Sequence, residues 1–186
     1  MNSNDLNISE EFSHIIFITG GTKSGKSEFA EHLAKKSDQL SYVALSENNT
    51  DDKEWQEKIT SHKKRRPKDW KLIETTNLLN ILSKEDGPLL IDSIGGFVME
   101  NIDRENNEWL TKMNSLISFL KKRKSLTLIV GEQVGWSLVS EYKIGNRYIE
   151  RIGELQKRIT KISKDNWLAI NGRAIKIDEI SIEIPT

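Results

Sequence analysis

The sequence predicts an α/β fold in which a mostly parallel sheet carries helices on both faces. Apolar runs and helical patterns alternate along the 186 residues, which is the order that repeated strand-helix-strand units produce. Runs such as 88–91 and 126–130 are apolar on both faces, which is typical of strands buried between two helical layers. The last two predicted strands are joined at Asn171-Gly172, a dipeptide that is typical of tight hairpin turns. We therefore expect one antiparallel edge on the sheet.

Hydrophobic patterns place each element in order along the chain. Apolar runs predict strands over residues 14–19, 40–45, 70–73, 89–92, 126–130, 167–170 and 174–177. Helical spacing predicts helices over residues 26–36, 52–63, 77–83, 106–123 and 144–163. Residues 1–13 are expected to form a flexible N-terminal extension, and residues 14–186 a single domain.

Between the first strand and the first helix lies a glycine-rich segment that fits G-x-x-x-x-G-K-[ST]. It reads Gly20-Gly21-Thr22-Lys23-Ser24-Gly25-Lys26-Ser27. Glycines let successive backbone N–H groups point inward and form a nest for phosphate oxygens. Lys26 is expected to reach the β- and γ-phosphates, and the Ser27 hydroxyl to ligate Mg²⁺. The sequence therefore predicts a P-loop NTPase (RecA-like) three-layer sandwich, with residues 14–186 as its nucleotide-binding domain.

Composition narrows the class of protein further. Lys plus Arg and Asp plus Glu each number 28, so net charge does not favour a nucleic-acid or anionic-membrane partner. The absence of cysteine excludes disulfides, thiolate metal sites and a cysteine nucleophile. No apolar run approaches the length of a membrane span, and residues 1–11 lack the pattern of a signal peptide. We expect a cytoplasmic protein.

Two further positions each allow two interpretations. His62 is followed by five basic residues within the segment 63–68. From the residues alone, this segment allows two interpretations. It is either a solvated basic end of a helix, or a site where the His62 imidazole acts as a nucleophile while the surrounding cations hold a triphosphate. Asp92 ends a buried strand, where it is either an acid that helps to hold Mg²⁺ or a cap on the turn to Gly95-Gly96.

The arrangement of these motifs resembles the adenosylcobinamide kinase / adenosylcobinamide-phosphate guanylyltransferase family of cobalamin biosynthesis. The family opens with G-G-x-x-S-G-K-S, as residues 20–27 do, and continues with R-I-x-x-H-x-x-x-R-P-x-x-W. At that spacing this chain has Lys58-Ile59, His62, Arg66-Pro67 and Trp70. The resemblance spans residues 14 to about 177 and makes His62 a predicted nucleophile.

The resemblance implies two reactions on a corrinoid substrate. In the first, ATP or GTP phosphorylates the hydroxyl of adenosylcobinamide, with Lys26 and Mg²⁺ held by Ser27 and Asp92. In the second, His62 takes GMP from GTP and passes it to the corrinoid phosphate, giving adenosylcobinamide-GDP. Arg66 is expected to hold the triphosphate. A homotrimer is implied by the resemblance alone. The balanced charge and the apolar runs predict no nucleic-acid partner and no membrane span.

Departures from the family pattern leave rival functions open. Asp92-Ser93 replaces an acid-Cys pair, and Glu132-Gln133 replaces Asn-Glu. The C-terminal helix lacks the family's arginines, for which Arg147 and Arg151 are candidate substitutes. One rival is a small-molecule P-loop kinase without guanylyl transfer, which would form no covalent GMP. Others are a RecA-like ATPase acting in an assembly or on nucleic acid, and a regulatory module that binds nucleotide without turnover.

Overall fold

The computed structural model describes residues 14–37, 39–45, 67, 69–136 and 140–185. Its strands are β1 (Ile15–Gly20), β2 (Ser41–Ala44), β3 (Lys71–Glu74), β4 (Leu89–Ile91), β5 (Thr127–Glu132), β6 (Asp165–Ile170) and β7 (Arg173–Lys176). Its helices are α1 (Lys26–Ala34), α2 (Leu78–Leu82), α3 (Gly95–Glu100), α4 (Asn106–Lys122) and α5 (Lys143–Ile162), followed by a 3₁₀ turn at Ile177–Glu179. None of the helices within these ranges is long and apolar enough to cross a membrane.

The seven strands found in the described residues form one sheet in the order β3-β2-β4-β5-β1-β6-β7. Neighbouring strands are parallel except for β6 and β7, which form the antiparallel hairpin predicted from Asn171-Gly172. All seven predicted strands are present with small shifts at their ends. β5 continues beyond its predicted end to Glu132 because it pairs with β1 as far as Gly20.

Helices cover both faces of the sheet, which confirms the three-layer sandwich. One core joins alternate strand residues such as Phe17 and Ile129 to α2, α3, α4 and α5. On the opposite face, Ile18 and Val130 pack with Ala30 and Ala34 of α1. The parallel strands are buried on both faces because each face meets a helical layer.

Four of the five predicted helices lie within the described residues and are present as α1, α2, α4 and α5. The helix predicted over 52–63 and the extension predicted over 1–13 lie outside the described residues. The sequence analysis missed α3, which begins with two glycines, the poorest helix formers after proline. Burial of Ile94, Phe97 and Val98 stabilises this helix through tertiary packing.

Candidate active site

The glycine-rich segment joins the end of β1 to the start of α1 at the carboxyl edge of the sheet. Gly25 is the residue before α1 and has a φ of 94°, a left-handed conformation that glycine adopts readily. The backbone N–H of Gly172 in the closing hairpin donates to the carbonyl of Ser24 at 3.0 Å. The chain therefore holds this segment as a P-loop, with the N-terminus of α1 behind it.

Lys26 and Ser24 carry polar side-chain atoms that could bind a phosphate group. The Lys26 ammonium donates to the carbonyl of Gly21 at 3.2 Å, so its cation lies over the P-loop backbone. The buried Ser24 hydroxyl has no hydrogen-bond partner within the described residues. Thr22 and Lys23 are exposed on the same loop. This arrangement fits the anion nest expected from the motif.

Ser27 and Asp92 meet although they are far apart in the chain. The Ser27 hydroxyl donates to Oδ1 of Asp92 at 3.2 Å, and the Tyr42 hydroxyl donates to Oδ2 at 2.6 Å. The hydrogen bonds described for the Asp92 carboxylate are thus made with side chains of α1 and β2. A hydroxyl and a carboxylate beside a P-loop are the hard oxygen donors that Mg²⁺ prefers.

Glu132, at the end of β5, belongs to the same group of polar side chains. The Ser93 hydroxyl donates to Oε1 of Glu132, while Oε2 is buried without a hydrogen-bond partner in the described part of the chain. Burial raises the pKa of Glu132 and Asp92 raises it further, while the Ser93 hydrogen bond and the Lys26 charge lower it. Burial, together with the charge of Glu132, also raises the pKa of Tyr148 above its ordinary value.

A second set of hydrogen bonds fixes the end of β5 in place. The Gln133 amide donates to the Thr19 hydroxyl at 3.0 Å, and that hydroxyl donates to Oε1 of Gln156 at 3.2 Å. The Gln156 amide donates to the Glu132 carbonyl at 2.8 Å. The backbone that carries Glu132 is therefore anchored to both β1 and α5.

The sequence analysis named the P-loop and Asp92 but gave Glu132 no role. Applying to β5 the rule that ligands bind beyond the carboxyl ends of parallel strands would have identified Glu132. The predicted nucleophile His62 and the predicted triphosphate ligand Arg66 lie outside the described residues.

The suggestion that Arg151 supplies a missing anion site is wrong. Its guanidinium donates to the carbonyls of Asn101 and Ile102 at 2.8 and 2.9 Å and to that of Arg104 at 2.6 Å. The side chain is only 4% exposed. Arg147 donates to the Ile102 carbonyl at 3.3 Å. Arg151 therefore holds the chain between α3 and α4.

The fold and the site together define a P-loop nucleotide-binding α/β protein. Residues 16–177 match the model of the family described as cobinamide kinase / cobinamide phosphate guanyltransferase. The chain belongs to this family, as the sequence motifs predicted.

Curated relatives extend over nearly the same length. The chain is 26% identical over 181 residues to the bifunctional adenosylcobalamin biosynthesis protein CobU of Escherichia coli K12, covering 88% of this chain and 99% of that protein. It is 25% identical, with the same coverage, to the protein of that name from Salmonella typhimurium LT2. Among solved structures, a type III secretion system ATPase matches with a TM-score of 0.51 and 11% identity. That match covers 83% of this chain and 50% of the ATPase, and it concerns the fold alone.

Proposed function

We propose that this chain phosphorylates adenosylcobinamide with ATP or GTP and then transfers GMP from GTP to give adenosylcobinamide-GDP. Membership of the family supports both reactions. The observation that carries the kinase half is the contact between Ser27 of the P-loop and Asp92 at the end of β4. It brings the P-loop and a carboxylate of the kind that Mg²⁺ prefers to one point on the sheet edge.

In the phosphoryl-transfer step, the protein mainly positions groups and neutralises charge. The P-loop backbone N–H groups would bind phosphate oxygens, and Lys26 would leave the Gly21 carbonyl to contact the β- and γ-phosphates. Ser27 and Asp92 would hold Mg²⁺, directly or through water. When bound, Mg²⁺ neutralises negative charge that develops on the phosphate oxygens.

Guanylyl transfer is assigned to His62 because His62 has the position of the family's histidine in the motif that spans residues 58–70. A neutral imidazole can attack the α-phosphate of GTP near neutral pH and is a good leaving group once protonated. The attack would form an N–P bond and release pyrophosphate, and the corrinoid phosphate would then displace the imidazole. Arg66 would contact the triphosphate during this exchange.

A covalent intermediate gives the most direct test of this assignment. The protein is incubated with Mg²⁺ and GTP without corrinoid, and its intact mass is measured at neutral or mildly alkaline pH. We expect the mass to rise by one GMP unit. The His62→Ala variant should show no gain and should still phosphorylate adenosylcobinamide. Loss of both activities in a folded His62→Ala variant would contradict the two-step assignment.

A kinase without guanylyl transfer is the second candidate. It is favoured by the use of Arg151, whose buried guanidinium binds three backbone carbonyls, since α5 then does not offer that guanidinium to a phosphate. Normal GTP binding with no covalent GMP on the wild-type protein would support this candidate and exclude the bifunctional one.

We further propose that the enzyme is a cytoplasmic homotrimer with a corrinoid and nucleotides as its small-molecule partners. The trimer rests on the resemblance to the family. Light scattering coupled to size-exclusion chromatography should give the mass of three chains, and the mass of a single chain would contradict it.

A further inference from the structure

Glu132 lies between the two parts of the proposed kinase site. β5 separates β1, which leads into the P-loop, from β4, which leads to Asp92. Glu132 is the last residue of β5 and pairs with Gly20, the first residue of the P-loop motif. Its carboxylate is therefore placed at the middle of the edge where the terminal phosphate would lie.

Within the described part of the chain, a neighbouring side chain holds one oxygen of this carboxylate and the other oxygen has no partner. Ser93, next to Asp92 in the chain, donates to Oε1. A Cβ atom built on Gly95 would lie 2.8 Å from each carboxylate oxygen and would overlap the Tyr148 hydroxyl. The absence of a side chain at Gly95 thus makes room for both groups. Oε2 is buried and, within the described residues, accepts no hydrogen bond.

A purely structural role does not explain these contacts. Holding the Ser93 hydroxyl requires one acceptor oxygen, which a glutamine would supply equally well. A carboxylate in this place adds a buried acceptor that has no donor among the described residues, and such groups destabilise a fold. An acceptor of this kind beside a phosphate-binding loop is suited to a proton that arrives during the reaction.

We propose that Glu132 accepts the proton of the hydroxyl group that attacks the terminal phosphate; this inference rests on the proposed kinase reaction. The alcohol oxygen forms a bond to the γ-phosphorus as its O–H bond breaks and the proton moves to Oε2 of Glu132. The bond from the γ-phosphorus to the bridging oxygen breaks, and the nucleoside diphosphate leaves with that electron pair. The proton then passes from Glu132 to solvent. Water can replace the alcohol in the same step, giving hydrolysis.

The test uses Glu132→Gln, which keeps the acceptor for Ser93 and removes the base. Glu108→Gln is the matched control, since Glu108 is exposed in the first turn of α4. For each protein, kcat and KM are measured for adenosylcobinamide phosphorylation and for ATP hydrolysis without corrinoid. We expect kcat of Glu132→Gln to fall by about 10²- to 10⁴-fold in both assays. The nucleotide KM should stay within about threefold, and Glu108→Gln should match the wild type.

Each outcome of this experiment bears on a separate claim. A folded Glu132→Gln variant with a kcat near that of the wild type would overturn the role of Glu132. So would a loss confined to KM, because that would assign Glu132 to nucleotide binding. If the wild type hydrolyses ATP in a Glu132-dependent way but does not phosphorylate adenosylcobinamide, the proposed corrinoid kinase fails while Glu132 remains the proton acceptor for water. If it does neither, both proposals fail.

Discussion

At the scale of single residues, the proposed reaction gives Lys26 of the P-loop a role in both nucleotide binding and catalysis. Within the described residues, the Lys26 ammonium donates a hydrogen bond to the Gly21 carbonyl. A hydrogen bond to a charged group contributes about 1.5–3 kcal/mol when water is excluded. Lys26 is only partly buried, so water can replace this bond and the fold does not depend on it. In the proposed kinase reaction the charge would have a larger effect, because facing the transferring phosphate it would stabilise the transition state more than the ground state.

Replacing Lys26 with alanine should therefore separate activity from stability. We expect kcat for adenosylcobinamide phosphorylation to fall by about 10²- to 10³-fold, with a thermal unfolding midpoint close to that of the wild type. Steady-state kinetics and calorimetry on the same preparations check both parts. Lys36→Ala, an exposed lysine beyond the end of α1, is the control and should change neither. An unfolded Lys26→Ala variant, or one of normal activity, would contradict the assignment.

At the scale of elements, Arg151 ties α5 to the chain that connects α3 with α4. Its donors occupy three backbone carbonyls within 101–104, and its guanidinium lies 5.2 Å from the centre of the buried Trp109 ring. A planar guanidinium suits several carbonyls at once. Since α5 also carries Tyr148 and Gln156, these hydrogen bonds of Arg151, which we call the Arg151 clamp, help to position the side chains around Glu132.

We expect Arg151→Met to destabilise the fold by about 2–4 kcal/mol, because it leaves several carbonyls without donors. Urea denaturation at neutral pH measures this loss. Arg158→Met on the same helix removes an exposed guanidinium that pairs with Glu154 and Asn114. That control should lower the free energy of unfolding by less than about 1 kcal/mol. Equal small effects from the two substitutions would show that Arg151 is not a clamp.

At the scale of the whole molecule, Glu132 should make stability depend on pH. The groups that act on its carboxyl come from several elements, namely Lys26 on α1, Asp92 and Ser93 after β4, and Tyr148 on α5. In the unfolded chain the Glu132 carboxyl group loses its proton near the ordinary pKa of 4.5. In the folded chain burial raises the pKa of this group. Above 4.5 the unfolded state therefore binds fewer protons than the folded state. The free energy of unfolding then falls as pH rises through the folded pKa.

Glu132→Gln should remove this dependence, so the variant should become more stable relative to wild type as pH rises above 4.5. Urea unfolding at a series of pH values, without nucleotide or Mg²⁺, measures the difference. Glu108→Gln should follow the wild-type curve. A difference between Glu132→Gln and wild type that stays constant with pH would contradict the prediction. A variant that is more stable and less active would also fit the usual trade-off at active sites.

Local patterns were enough to predict the P-loop, the strands and the closing hairpin. The P-loop depends on eight consecutive residues, and each strand on its own run of apolar side chains. Where a local pattern was weak, prediction failed: α3 begins at Gly95-Gly96 and forms because Phe97 and Val98 are buried. The sequence predicted Asp92 as the last residue of a strand, and it directly follows β4. Its contact with Ser27 was not predicted, because it joins residues 65 positions apart.

What the sequence by itself determined is therefore the class of protein, a P-loop α/β domain, and the family whose motifs it carries. Only the tertiary structure decided that β5 lies between β1 and β4, which puts Glu132 between Lys26 and Asp92. It also decided that Arg151 binds backbone carbonyls. The physical reason is that strand order depends on the packing of all the layers together, whereas a motif depends only on its own backbone. Contacts between strand ends therefore cannot be inferred from any single segment.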